Sequence, residues 1–358
     1  MTNSEELTSL IAQKFFLQQY IHTDIYVLDG KQETEFCDCI IEFSNVYVFI
    51  QIKERKNQKE ENSAVWFKNK VLKTAKNQLK KTVSYYNNQN NKIFSKNSDF
   101  IIDRSKTFIP LIVFYNTNII SYDRIIYSNS LNKIINIFSY DDFKKMLKSI
   151  ILPYDILNYL EYRTVFHKKD RSKLIVDDID KHASILFTPQ TEDDYAQLFL
   201  VRTYYPYVLN NSFHEEYLKF YNEILLQLNE KNCNKRNDFI EGLLHVDCQR
   251  VNIIVENWIE CVDNISLYKF SQPFIITYDN YFYLLISHPK NMTKPDFMYR
   301  LYLCLVYQKY KYDYKKAYVI EFSKAPKNTY SISLYNFDLN SDIPYDDLKD
   351  DAIKLFES

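Results

Sequence analysis

With 358 residues, 46% of them hydrophobic and 25% charged, the chain has the composition of a folded globular protein and the length for two domains that each bury a core. A formal net charge of −1 excludes a uniformly basic surface, and glycines at only Gly30 and Gly242 exclude a dinucleotide fingerprint or a P-loop, which need clustered glycines for backbone approach to phosphate. The six cysteines lack CxxC spacing and there is neither a secretory leader nor an apolar run of about 18 residues, so a reduced, cytoplasmic protein without a membrane segment is expected.

In chain order, Ser4 to Tyr20 carries Leu7, Leu10, Ile11, Phe15 and Phe16 at helical spacing, with Ser4 as the expected N-cap. Asp24 to Leu28 reads as a short strand, Asp29 to Thr34 as a polar loop, and Glu35 to Phe43 as a second strand. Ser44 and Asn45 turn the chain into a third, Val46 to Lys53. A charged loop leads to a helix over residues 63–86, with Val65, Val71, Leu72, Ala75, Leu79 and Val83 on its apolar side. Apolar runs at Phe108–Tyr115 and Ile134–Phe138 read as buried strands, and helices follow from Asp141 to about Ile151 and from Pro153 through Arg163.

The charged stretch Lys168 to Lys181 is the expected domain boundary, giving 1–167 and 168–358. The second half is expected to be α+β. Helices are predicted near Glu192–Tyr204, Phe213–Leu228, Asn237–Cys261 and Pro295–Tyr310, with strands near Phe274–Ser287, Ala317–Phe322 and Ser331–Tyr335. Tyr302, Tyr307, Tyr310, Tyr312 and Tyr314 read as a buried amphipathic face, with base stacking as the alternative.

Chemistry concentrates in the third strand and the one before it. Period-two alternation places Gln51 and Lys53 on one face of Val46–Lys53, and the hairpin brings Asp38 toward the same end. A buried amine without a partner is expensive, so a Gln and a Lys ending an apolar strand imply that the strand opens onto a site. A hard cation such as Mg²⁺ prefers the oxygen ligands that Asp38 and the Gln51 carbonyl offer, while Lys53 suits developing negative charge. Cys37 and Cys39 read as buried strand residues.

Between Lys53 and Lys81 ten basic side chains face three acidic ones, a local net charge of +7 that can hold phosphates or simply solvate a helix. Lys73, Lys76 and Lys80 share a face by α-helical spacing, and Lys70, Lys73, Lys76 and Lys80 are the expected nucleic-acid contacts. Trp66 reads as a packing residue. The six histidines have no zinc-ligand spacing.

Asp38, twelve intervening residues and Gln51-Ile52-Lys53, set on helix, strand and hairpin, resemble the PD-(D/E)XK nuclease superfamily, and Gln in place of the usual acid resembles its Mrr-like branch. The resemblance covers residues 1–165 or so. It implies a restriction-endonuclease-like mixed sheet flanked by helices, Mg²⁺- or Mn²⁺-dependent cleavage with DNA as the expected substrate, and metal-binding and lysine roles for Asp38, Gln51 and Lys53. The missing carboxylate would come from the first helix, from Glu5 or Glu6, with Glu6 the residue assigned, and Gln78 would support the site. Cys37 stands where the family has proline. The segment Glu35-Phe36-Cys37-Asp38 followed by an apolar hairpin resembles nuclease domains of bacterial defence genes, which implies an anti-phage effector, with an activating protein partner or self-assembly. The alternative is a non-catalytic module that binds nucleic acid or protein on a degenerate nuclease fold.

Overall fold

The computed structural model describes residues 2–30, 32–43, 45–55, 62–96, 100–119, 121–168, 175–176, 185–186, 191–204, 215–230, 240, 242–266, 274–277, 280–325 and 330–357. The chain forms two compact units, one of residues 1–230 with 244–248 and one of 231–243 with 249–358. The fold is mixed α/β: a mixed sheet flanked by helices in the first unit, and a second sheet domain.

The first unit opens with α1 (Asn3–Phe16). Its N-cap is Thr2 rather than Ser4: the Thr2 hydroxyl accepts from the Glu5 amide while the Glu5 carboxylate accepts from the Thr2 amide, a capping box that satisfies two end donors reciprocally. The chain continues through β1 (Ile21–His22), β2 (Ile25–Asp29), β3 (Gln32–Cys37), β4 (Cys39–Phe43) and β5 (Val46–Glu54). The stretch expected as one strand, Glu35–Phe43, is therefore two. β3 joins β2 and β6 (Lys92–Ser95) in a three-stranded sheet, whereas β4 joins a six-stranded sheet ordered β1-β4-β5-β7-β9-β8, with β7 at Thr107–Tyr115, β8 at Ile125–Ser128 and β9 at Lys133–Ser139. β4 and β5 are antiparallel, but β5, β7 and β9 run parallel. Asp38 is the residue at which the chain leaves one sheet for the other.

Between β5 and β6 a helical run follows without a break as α2 (Ser63–Trp66), a π-helical stretch (Phe67–Ala75) and α3 (Lys76–Asn87). The sequence supplies the reason for the π turn. Phe67, Val71, Ala75, Leu79 and Val83 are all buried and lie four residues apart. At 3.6 residues per turn a straight α-helix would rotate Val83 about 160° away from Phe67, so wider turns are needed to hold all five against the sheet. Within the π-helical stretch the Thr74 hydroxyl donates to the Asn69 carbonyl five residues back at 2.9 Å. Re-phasing also leaves the expected core residue Val65 exposed and buries Trp66, whose ring meets that of Phe114 at a tilt of 58°.

Four helices complete this unit: α4 (Tyr140–Ile150), α5 (Pro153–Lys168), α6 (Glu192–Tyr204) and α7 (Glu215–Glu230), with a short antiparallel pair β10 (Ile175–Val176) and β11 (Ile185–Leu186). The unit thus runs past the expected boundary at 167. The physical reason is Glu192, which is fully buried and accepts from Arg124 at 2.6 Å, from Arg163 at 2.8 Å and from the Tyr159 hydroxyl, tying α6 to α5 and to the residue before β8, while Arg163 in turn donates to Asn136 and Ile137 of β9. Asn222 of α7 likewise donates to the Lys14 carbonyl at 2.9 Å.

The second unit contains most of α8 (Cys248–Ser266) and a sheet ordered β12-β13-β14-β15, at Phe274–Thr277, Tyr281–His288, Lys316–Lys324 and Tyr330–Asp338. β13 and β14 are parallel and joined through α9 (Lys294–Tyr312); α10 (Tyr345–Glu357) packs on α9. Tyr307 and Tyr314 are buried as expected, but Tyr310 and Tyr312 are exposed. Buried Glu321 accepts from His288, Lys294 and Tyr335, and these donors hold its carboxyl below the usual carboxylate range against the opposing effect of burial. Gly242 leaves no room for a methyl: a Cβ there would lie inside contact distance of the buried Tyr283 ring and hydroxyl. Gly242→Ala is expected to destabilise this unit by about 1–3 kcal/mol through overpacking, read as a lower denaturant midpoint at unchanged slope.

Candidate active site

The β4–β5 ladder stops at Cys39 and Ile50, so the Ile52 amide lies beyond its last strand pair. Asp38, at the break between β3 and β4, takes that place: its Oδ2 accepts the Ile52 amide. A backbone donor that the sheet leaves without a partner thus draws the carboxylate to the end of β5. Alternation along β5 does the rest. Gln51 and Lys53 project with Tyr47 and Phe49 toward the face covered by α2, the π-helical stretch and α3.

Three functional groups converge there. The Lys53 ammonium lies 3.7 Å from Asp38 Oδ2 and 3.5 Å from Gln51 Oε1, and donates to the Ile52 carbonyl at 2.6 Å. Asp38 and Gln51 are 7% and 3% exposed, so their polar heads face a site screened from bulk water, while Lys53 is half-buried. Withdrawal from water pushes the Asp38 carboxyl above its ordinary range; Lys53 and the Ile52 amide pull it back, and Glu5 pushes it up again.

The first helix contributes through Tyr115, at the end of β7 beside β5. Its hydroxyl donates to the Ser4 carbonyl at 3.0 Å and bonds Thr8 at 2.9 Å, anchoring the first turns of α1 next to the site. Glu5 is half-buried and its charge is felt at both Asp38 and Glu35. Glu6, the residue assigned from the sequence, is exposed on α1. Glu35 was quoted in the sequence motif without a role, yet its carboxyl is raised by partial burial and then by the negative charges of Asp38 and Glu5. Its spacing from Asp38 did not point to it, because the strand breaks between them.

The lysines of the following helix separate. Lys70 and Lys73 lie exposed in the π-helical stretch, so α-helical spacing does not relate Lys73 to the lysines beyond it. Lys76 and Lys80, both in α3, are half-buried one turn apart, and the Lys76 ammonium reaches the Tyr127 carbonyl at 3.4 Å. Gln78 lies one turn before Thr82, whose hydroxyl donates to the Phe36 carbonyl two residues from Asp38, and Gln78 Oε1 is buried with no hydrogen-bond partner among the described residues.

The donors gathered at the end of β5 are all hard oxygens, Asp38, Gln51 Oε1 and the nearby Glu5, the ligand chemistry that Mg²⁺ or Mn²⁺ prefers. The Lys53 ammonium already rests among the oxygens of Asp38, Gln51 and Ile52, so the pocket tolerates positive charge. Among the described residues no group of three or more His, Cys, Asp or Glu side chains is assembled to hold a metal, so a cation would depend on Gln51. Buried Cys37 and Cys39 flank Asp38, and burial pushes the Cys39 thiol up to about 12, which leaves it a packing residue.

The raised Asp38 pKa yields a signed expectation. The folded state binds the Asp38 proton more tightly than the unfolded chain, so ionised Asp38 opposes folding above the unfolded pKa. Asp38→Asn keeps an oxygen for the Ile52 amide and is expected to raise the melting temperature near pH 8. That advantage should shrink as the pH falls through the raised pKa and vanish below the ordinary aspartate value. Melting curves from pH 3 to 8 test this, and an Asn variant less stable than wild type at pH 8 would overturn it.

Among the described residues no helix is long and apolar enough to cross a membrane. Comparison of the chain with protein-family models, curated proteins and solved structures finds no match in any of the three.

Proposed function

We propose that the first unit hydrolyses phosphodiester bonds in nucleic acid, with DNA as the expected substrate, and that Asp38, Gln51 and Lys53 form its active site. The observation that supports this reading is the meeting of an acid, an amide oxygen and an ammonium within 4 Å at the end of a parallel strand, in a site largely shielded from water. Shielding strengthens each electrostatic interaction made with a transferring phosphoryl group. A divalent cation bound by Asp38, Gln51 and Glu5 would neutralise phosphate charge and lower the pKa of its water. Lys53 then stabilises the negative charge that develops on the phosphoryl oxygens, and Asp38 is held by the Ile52 amide with its Oδ2 beside the Lys53 ammonium. Gln78, whose buried oxygen has no partner among the described residues, holds a polar group in the helix that covers this face. Lys70 and Lys73, exposed in the π-helical stretch, offer phosphate contacts beside it.

Incubating the purified protein with plasmid, linear duplex, single-stranded DNA and RNA in Mg²⁺ or Mn²⁺, against an EDTA control, tests the proposal. Metal-dependent cutting is the expected result; no cutting of any substrate, together with no metal binding, would sink it. Two observations favour a second reading, a nucleic-acid-binding module without catalysis: no cluster of three His, Cys, Asp or Glu ligands forms among the described residues, and Lys53 is already paired with Asp38. Binding without cleavage, in a protein that does not bind metal, is its signature. The anti-phage role rests on the resemblance of the Glu35–Asp38 segment, and a plaque assay with the wild-type gene against Asp38→Ala tests it.

A further inference from the structure

A cavity of about 510 Å³ opens between α3 and the turn that joins β8 to β9. Lys80, Val83, Ser84 and Asn87 come from the helix, and Ser130 and Leu131 from the turn. Its volume lies in the range of small-ligand sites, and its walls, which include Asn88 just past the helix, mix one ammonium, two carboxamides and two hydroxyls with two aliphatic side chains. That mixture suits a nucleotide: Leu131, backed by the buried Val83, for the face of base or sugar, the two asparagines and the serines for polar edges, and Lys80 for phosphate.

Its place in the fold sets its distance from the candidate active site. Lys133, two residues beyond Leu131, donates to the Phe108 carbonyl, and Phe108 pairs with Tyr47 at the start of β5. The ring of Tyr86, near the end of α3, lies against Phe108 and Tyr47, whereas Phe67 lies against Phe114, the partner of Lys53. The helical run therefore travels from the Lys53 end of β5 to the Tyr47 end. Six residues of strand separate the two ends, roughly 20 Å. Lys73, Lys76 and Lys80 fall along that path.

We propose that this cavity holds one unpaired nucleotide of the same strand whose scissile phosphate lies at Asp38 and Lys53, so that the protein prefers nucleic acid with a single-stranded segment at that offset. The site rests on the nuclease reading for its purpose, but its occupancy is measurable without cleavage. The apolar walls have nothing to contact in a fully paired duplex, whose bases are stacked inside, whereas an unpaired base offers its faces and edges.

The test is fluorescence anisotropy in EDTA with a labelled 12-nucleotide single strand and with the corresponding duplex. Ser84→Trp and Ser130→Trp fill the cavity from opposite walls, Asn87→Ala removes one of its carboxamides, and Lys148→Ala, an exposed lysine of α4 that does not line it, serves as control; melting curves establish that each variant is folded. Single-strand binding is expected to weaken about tenfold in the three cavity variants, the size of one nucleotide's contacts, with duplex binding and the control within twofold of wild type. Undiminished single-strand binding in both tryptophan variants, an equal loss for duplex and single strand, or no single-strand binding by the wild type would each overturn the proposal. The nuclease reading fails separately: a protein that shows this binding pattern but never cuts in Mg²⁺ or Mn²⁺ keeps the nucleotide site and loses the active site.

Discussion

Lys53→Ala is expected to abolish metal-dependent cleavage, lowering the single-turnover rate by about 10²–10³-fold or more while leaving the protein folded. The ammonium is the positive side chain that touches both Asp38 and Gln51, and in a site of low water content its loss removes stabilisation where phosphoryl charge develops. Its removal also lets Asp38 hold its proton more firmly, because Lys53 is the strongest of the influences that lower the Asp38 pKa. Cleavage by the variant should therefore rise to higher pH than in the wild type. Lys53→Arg keeps the charge but replaces a compact ammonium with a planar fork, and partial activity is the expected result. Rates of plasmid nicking from pH 6 to 9 distinguish these outcomes, and an alanine variant that cuts at the wild-type rate would remove Lys53 from the active site.

The largest effect on stability is expected at Glu192→Ala. Glu192 and Arg163 are both fully buried, Arg124 is the second cation on the same carboxylate, and the Arg163 guanidinium lies 3.8 Å from the Phe138 ring. Removing the carboxylate leaves the Arg163 charge buried without its anion, a loss of roughly 3–5 kcal/mol. In a unit of this size each kcal/mol moves the midpoint by about 2–4 °C, so a fall of roughly 6–20 °C is expected in the first unit. Replacing Glu192 and Arg163 together with apolar residues of similar volume should be much milder, because no orphaned charge remains. A double variant as unstable as Glu192→Ala would place the stabilisation in the shape of the side chains rather than in the buried charge.

Much of the layout was legible because periodicity is local. The bounds of α6 coincide with the expected Glu192–Tyr204, and β5, β7 and β9 fall on the three apolar runs read as strands. The short edge strands β1, β6 and β8 were not, since two to four residues cannot establish a period, and α10 escaped because its acidic stretch buries little beyond Ala352. The break at Asp38 was hidden for a different reason. Phe36, Cys37, Cys39 and Ile40 are all buried, so nothing in their hydropathy marks where one sheet ends and the next begins.

What the sequence alone determined is the end of β5 where Gln51 and Lys53 share a face, because a two-residue repeat leaves their side chains no other direction. It also held the cause of the π-helical stretch, since five buried positions four apart are incompatible with a straight α-helix. Tertiary structure decided the rest of the site. Which glutamate of α1 approaches Asp38 depends on the Tyr115 hydrogen bonds that anchor the helix from more than a hundred residues away, and those favour Glu5 over Glu6. Where the first unit ends depends on Glu192, an acid that in sequence resembles any first-turn helix residue and becomes the partner of two arginines only when β8, β9 and α5 fold around it.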